Sequence, residues 1–166
     1  MPSMTEEAFF LTDESATDAL GARLALAIGE LKREIDAAGL NIYLIGNLGA
    51  GKTYLTRALL RELGVTGRIK SPTFSLIETY EVEGLPYKIA HFDFYRFESP
   101  EEFLDAGFRD EFGEGHLTLC EWPEKAQGCV PPSDLDIIFD ILPKGRKVRI
   151  LAHSTLAQTL LAGVQQ

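Results

Sequence analysis

The stretch "LIGNLGAGKTYL", residues 44–55, sets three glycines, a lysine and a threonine directly behind one apolar run and directly ahead of another. Gly46, Gly51, Lys52 and Thr53 satisfy the spacing G-x-x-x-x-G-K-[ST], in which a strand leads into a loop and a helix leads out. Glycine admits backbone angles closed to other residues, so successive N–H groups of Gly46, Asn47, Leu48, Gly49, Ala50 and Gly51 can turn inward on phosphate oxygens. The helix N-terminus at Lys52, Thr53 and Tyr54 adds a partial positive charge at the same place. Lys52 can reach terminal phosphates, and the Thr53 hydroxyl can ligate Mg²⁺. A glycine-rich turn that only caps a helix is the plainer alternative, but the full pattern between a strand and a helix is rare by chance.

The flanking sequence supplies that context. "NIYLI" from Asn41 is too short and too apolar for a surface helix and predicts a buried strand. A helix is expected from Gly51 to Leu63, with Gly64 as its stop signal. Upstream, "FFLT" predicts a short edge strand. Asp13 then caps a helix over "ESATDALGARLALAIGELKREI", whose apolar face is Ala19, Leu20, Leu24, Ala27, Ile28 and Leu31. "TFSLIETYEV" and "LPYKIAHFDFYR" predict two antiparallel strands with a tight turn at Glu83 and Gly84. "SPEEFLDAGFRDEF" predicts a helix interrupted near Gly107, and "HLTLCEW" a short strand. "LDIIFDIL" and "RKVRILAH" predict a final hairpin, with a short helical tail beyond.

A chain of 166 residues, 45% of them hydrophobic, can bury one sizeable core and predicts a single domain over 1–166. Its net charge of −9 argues against gripping nucleic acid alone, because such affinity comes mainly from neutralised phosphates. Cys120 and Cys129, its only cysteines, form neither a CxxC nor a Cys/His cluster, so a disulfide framework or a zinc site has little support. No segment approaches the roughly 18 consecutive apolar residues of a membrane span, and the start "MPSMTEEAFF" lacks the regions of a signal peptide. A cytoplasmic protein without membrane contact is the expectation.

A magnesium ion at Thr53 needs a carboxylate partner, direct or through water. Asp93 closes "KIAHFD" and Glu121 closes "HLTLCE", and strand C-termini in an open α/β sheet gather where ligands bind. An ordinary charge leaving the sheet for solvent is the alternative for each, and both stand as candidates. In "KSPTF", residues 70–74, Ser71 and Thr73 can sense a γ-phosphate as switch segments do, or form an ordinary turn before a strand. No N-K-x-D sequence occurs, so adenine is favoured over guanine. Trp122, the one tryptophan, follows Glu121 and can pack in the core or lie against the nucleotide. His91 alternates with core positions of its strand, while His116 and His153 have no evident partner; none is assigned chemistry.

In order and spacing, "GNLGAGKT", "KSPTFSLIETY", "HFDFYR" and "EWPE" resemble the TsaE (YjeE) family, ATPases of tRNA threonylcarbamoyladenosine modification, and the likeness runs from "DESATDALG" to the terminal hairpin. The resemblance implies an α/β P-loop NTPase fold with parallel central strands flanked by antiparallel ones. It implies ATP as ligand, Thr53 and Glu121 on Mg²⁺, Asp93 at the Walker B-like or water-activating position, and Ser71 to Thr73 as a switch. It also implies contacts to ATP from Glu14, Thr17 and Arg146. As partners it implies TsaD and TsaB, which transfer the threonylcarbamoyl group to tRNA, while this chain resets their complex and holds no tRNA tightly itself. A small-molecule kinase is the rival enzyme, although no lid-like segment with several arginines is found. A nucleotide-dependent binding module without turnover is the non-enzymatic rival.

Overall fold

Apolar runs too short for surface helices form the strands of one seven-stranded sheet in the computed structural model, which describes residues 5–164. In chain order they are β1 (Thr5–Leu11), β2 (Leu40–Ile45), β3 (Ile77–Tyr80), β4 (Lys88–Asp93), β5 (His116–Glu121), β6 (Leu135–Ile141) and β7 (Arg146–Ala152). Across the sheet the order is β1-β7-β6-β2-β5-β4-β3. The neighbours β6, β2, β5 and β4 run parallel, whereas β7 and β1 on one side and β3 on the other pair antiparallel. The fold is therefore α/β with a parallel centre and antiparallel flanks.

The helices are α1 (Glu14–Gly29), α2 (Lys32–Ala38), α3 (Lys52–Leu63), α4 (Glu102–Asp105) and α5 (Thr155–Val164). Helix α1 packs against α3 and α5, and all three bury leucines, isoleucines and alanines in one aliphatic core with the central strands. Gly21 permits the close approach of α1 and α3: a Cβ there would stand 2.9 Å from the Cβ of Ala58. A second, aromatic core joins Phe92, Phe94 and Phe103 to Phe108 and Phe112, with Phe92 and Phe112 stacked at 5.1 Å. Parallel strands need cover on both faces, and these two cores supply it around β4 and β5.

Three expectations are corrected. The long helix after Asp13 is two helices. Asp13 caps α1 by accepting from Ala16 N–H at 2.9 Å, but the chain breaks at Glu30 and Leu31, behind the weak helix former Gly29. The break redirects the chain so that Gly39, at φ 78°, can hand it to β2. Ala19, assigned to the apolar face, is exposed. The strand expected from Thr73 begins only at Ile77, because Pro72 starts a turn in which Leu76 N–H donates to Pro72 O at 2.8 Å. Leu76 sits at φ 71°, outside strand geometry, and Thr73 and Phe74 are thereby left out of the sheet. The tight turn at Glu83 and Gly84, the interruption at Gly107, the terminal hairpin and the helical tail occur as expected.

Candidate functional site

Strand β2 delivers the chain to Gly46, whose Cβ, if present, would come within 3.0 Å of Phe139 Cβ. Gly49 at φ 78° and Gly51 at φ 108° hold left-handed conformations that other residues resist, and Gly51 opens α3. The first amides of α3 belong to Lys52, Thr53 and Tyr54, where no preceding turn provides acceptors. Arg146, at the start of β7, ties the loop down from outside. Its Nε donates to Ala50 O at 3.1 Å, Nη2 to Gly49 O at 3.2 Å and Nη1 to Gly145 O at 3.0 Å. The guanidinium expected to meet a nucleotide is thus engaged with the loop's own carbonyls.

Lys52 is buried, and its Nζ donates to Gly46 O at 2.5 Å while lying 3.7 Å from the centroid of the Trp122 ring. Burial pulls the ammonium below its ordinary pKa, against the opposing pull of Glu121, Glu124 and Asp93. Trp122 leaves β5 in a left-handed conformation, φ 57°, which swings its ring out of the strand and against Tyr95 at 4.9 Å between centroids. It lies beside the lysine rather than wholly inside the aromatic core.

The parallel register of β4 and β5 sets Asp93 opposite Glu121 at the strand ends. Thr53 Oγ1, at the start of α3, donates toward both Glu121 oxygens, 3.0 Å from Oε1 and 3.2 Å from Oε2. Asp93 Oδ1 accepts from Tyr95 N–H at 2.9 Å. Burial raises the Asp93 pKa, the hydrogen bond from Tyr95 N–H counters it, and the negative charge of Glu121 raises it further. A cleft of about 410 Å³ brings Lys52, Thr53, Thr73, Asp93, Glu121 and Trp122 together. Thr73 meets Ser71 through their hydroxyls at 2.7 Å.

On the other side of the same glycine loop lies a cleft of about 350 Å³, lined by Glu14, Thr17, Tyr54 and Arg146. Tyr54 O–H donates to Asp18 Oδ2 at 3.3 Å. Gly49, Ala50 and Gly51 line both clefts. The residues singled out in the sequence therefore converge on two adjoining spaces.

His91 is the residue that the sequence reading passed over. Buried on β4, its Nε2 lies 2.7 Å from Glu121 Oε2. The available signal was the spacing His91-x-Asp93, which puts both side chains on one face of a strand.

The donor set suits a hard, hydrated divalent cation: one hydroxyl and carboxylate oxygens, with no sulfur. Among the described residues no group of three or more His, Cys, Asp and Glu is arranged to hold a metal unaided. A cation here would take its remaining ligands from phosphates and water, which is how Mg²⁺ is usually held. The residues present fit that arrangement.

The family model described as "Threonylcarbamoyl adenosine biosynthesis protein TsaE" matches residues 11–148. A relative named "tRNA threonylcarbamoyladenosine biosynthesis protein TsaE" from Haemophilus influenzae is 36% identical over 162 residues, covering 98% of each chain. Relatives of the same name are 38% identical over 123 residues in Synechocystis sp., covering 70% of each chain, and 35% identical over 113 residues in Bacillus subtilis, covering 68% of this chain and 69% of that one. A solved structure described as "Crystal structure of Bacillus subtilus YdiB" superposes with a TM-score of 0.69 at 23% identity, covering 99% of this chain and 97% of the other, and shares the fold. With the family model spanning both clefts and the H. influenzae relative aligned almost end to end, the chain belongs to the TsaE family.

Proposed function

We propose that this chain, as one domain, is a Mg²⁺-dependent ATPase that serves tRNA threonylcarbamoyladenosine biosynthesis by resetting a TsaD–TsaB transferase complex between turnovers. The names of its relatives support the pathway. The observation that carries the chemistry is the bond from the Thr53 hydroxyl to Glu121, which joins the glycine loop to a strand-end carboxylate 68 residues away. In this reading the loop amides and Lys52 hold the phosphates, and Thr53 with Glu121 holds Mg²⁺. The ion would neutralise charge developing on the phosphates. Asp93 orients the attacking water and accepts its proton, Thr73 senses the terminal phosphate, and Glu14, Thr17 and Tyr54 line the adenosine side. Arg146 braces the loop. A net charge of −9 leaves tRNA to the partners, and a cytoplasmic setting suits that division of labour.

The test is ADP release from Mg²⁺–ATP with no phosphoryl acceptor present, measured for the chain alone and with purified TsaD–TsaB. Slow release alone and faster release with the partners is the expected result. Release that needs an added small-molecule acceptor would identify a kinase, and none under any condition a binding module.

A further inference from the structure

The environment of His91 is unusual for a residue filling a strand. It is 1% exposed, and the neighbouring positions of β4, Ile89, Ala90 and Phe92, are wholly buried and apolar. One ring nitrogen, Nε2, lies 2.7 Å from Glu121 Oε2. The other, Nδ1, is buried with no hydrogen-bond partner among the described residues. An apolar side chain of similar volume would fill this place without stranding a polar atom, so packing alone does not account for an imidazole. The ring does provide a donor to one chosen oxygen of a buried carboxylate. Oε2 meets His91 at 2.7 Å and Thr53 Oγ1 at 3.2 Å, whereas Oε1 meets Thr53 Oγ1 alone, at the shorter 3.0 Å.

We propose that His91 is a positioning residue for the cation: donating from Nε2 to Oε2, it fixes the Glu121 carboxylate so that Oε1 is presented beside the Thr53 hydroxyl. Outer groups that hydrogen-bond to ligating carboxylates set their orientation, and their loss commonly lowers metal affinity about 10–100-fold. The inference rests on the reading of Thr53 and Glu121 as the metal ligands. It implies a neutral ring whose proton sits on Nε2, or an imidazolium, but not a ring protonated at Nδ1 alone.

The experiment measures how strongly Mg²⁺ enhances binding of a nonhydrolysable ATP analogue, adenylyl imidodiphosphate, by calorimetry in excess Mg²⁺ and again in EDTA. His91→Leu is expected to cut the enhancement about tenfold or more. His91→Gln, whose amide N–H can donate from a similar reach, is expected to restore most of it. An unchanged enhancement in His91→Leu beside a collapsed one in Glu121→Gln overturns the positioning role. Equal collapse in both His91 variants overturns it too, since shape rather than donation would then matter. An enhancement that survives Glu121→Gln instead overturns the metal reading and this inference with it. If the His91 variants do not fold, nitrogen-15 correlation of the His91 ring in the unmutated chain decides: a proton on Nε2 supports the assignment, and a bare Nε2 overturns it.

Discussion

The two clefts on either side of the glycine loop are built in opposite ways. In the cleft of Lys52 and Glu121, proposed above to take the phosphates and called the phosphate cleft below, Lys52, Asp93 and Glu121 are 3–8% exposed and stand at strand ends and at the start of α3. In the other cleft Glu14 is exposed, and Thr17 and Arg146 are only half-buried on α1 and at the hairpin, as is Tyr54 of α3, which lines both clefts. Charge is stronger where water is excluded, so the first arrangement suits chemistry on phosphates and the second suits recognition at modest cost. Substitutions in the phosphate cleft should therefore have large effects that differ in kind from one residue to the next. Those in the other cleft should be small and uniform.

Lys52→Ala should show the largest effect. Losing a charged donor to the phosphates should weaken ATP binding by about 1.5–3 kcal/mol and abolish hydrolysis. Calorimetry reads the affinity directly. The fluorescence of Trp122 provides a second readout, because Lys52 Nζ lies against its ring and must shift to reach a phosphate. Unchanged affinity would remove the phosphate assignment and erase the contrast between the clefts.

Asp93→Asn should separate binding from turnover. It keeps an oxygen to accept from Tyr95 N–H but removes a proton acceptor, so hydrolysis should fall about 10²-fold or more with ATP affinity close to normal. It should also stabilise the fold. Burial raises the Asp93 pKa, so the folded state prefers the protonated form. Stability is then lost as pH rises through the ordinary carboxylate range to the raised value, and above it the charge is a standing cost. The variant should melt at a higher temperature than the parent at neutral pH, and this gain should vanish in acid. A lower melting temperature at neutral pH would show that the carboxylate supports the fold instead.

Arg146→Ala comes next. Two donations to glycine-loop carbonyls, at Gly49 and Ala50, are lost, so affinity should drop by about 1 kcal/mol, equally for ATP and GTP. A loss confined to ATP would make the guanidinium a base contact and not a brace.

The same division explains what could be read from the sequence. The glycine loop, Lys52 and Thr53 act through local spacing, and Asp93 and Glu121 stand at the ends of apolar runs, so pattern and strand period were enough to find them. The parallel centre with antiparallel flanks came by resemblance. Partners formed by register across strands were not visible: His91 meets Glu121 only because β4 lies beside β5. The engagement of Arg146 with Gly49 and Ala50 spans 96 to 97 residues and was equally hidden. Propensity misled at Thr73 to Leu76, where β-branched and aromatic residues suggested a strand that the turn from Pro72 prevents.

That misread turn gives the smallest effect and the sharpest test of the comparison, because Thr73 lines the phosphate cleft yet lies outside the buried network. The turn is not isolated from it: Asp93 N–H donates to Leu76 O at 3.1 Å, so a change at Thr73 can reach the strand end through that hydrogen bond. A hydroxyl that meets only the terminal phosphate distinguishes ATP from ADP. Thr73→Ala should therefore weaken binding of an ATP analogue by about 0.5–1 kcal/mol and leave ADP affinity unchanged. Thr17→Ala, on the other side of the loop, should weaken both nucleotides alike by a similar amount. If nucleotide state sets affinity for TsaD–TsaB, the first variant should also shrink the difference between ATP-bound and ADP-bound association, and the second should not, because a ligand shifts an equilibrium only by its differential interaction with the two states. Titration of both variants with the analogue, with ADP and with the partner complex measures all of this. Equal losses for ATP analogue and ADP in Thr73→Ala would mean that the turn holds the nucleotide without reading its state, and the switch reading would fall while the phosphate cradle stood.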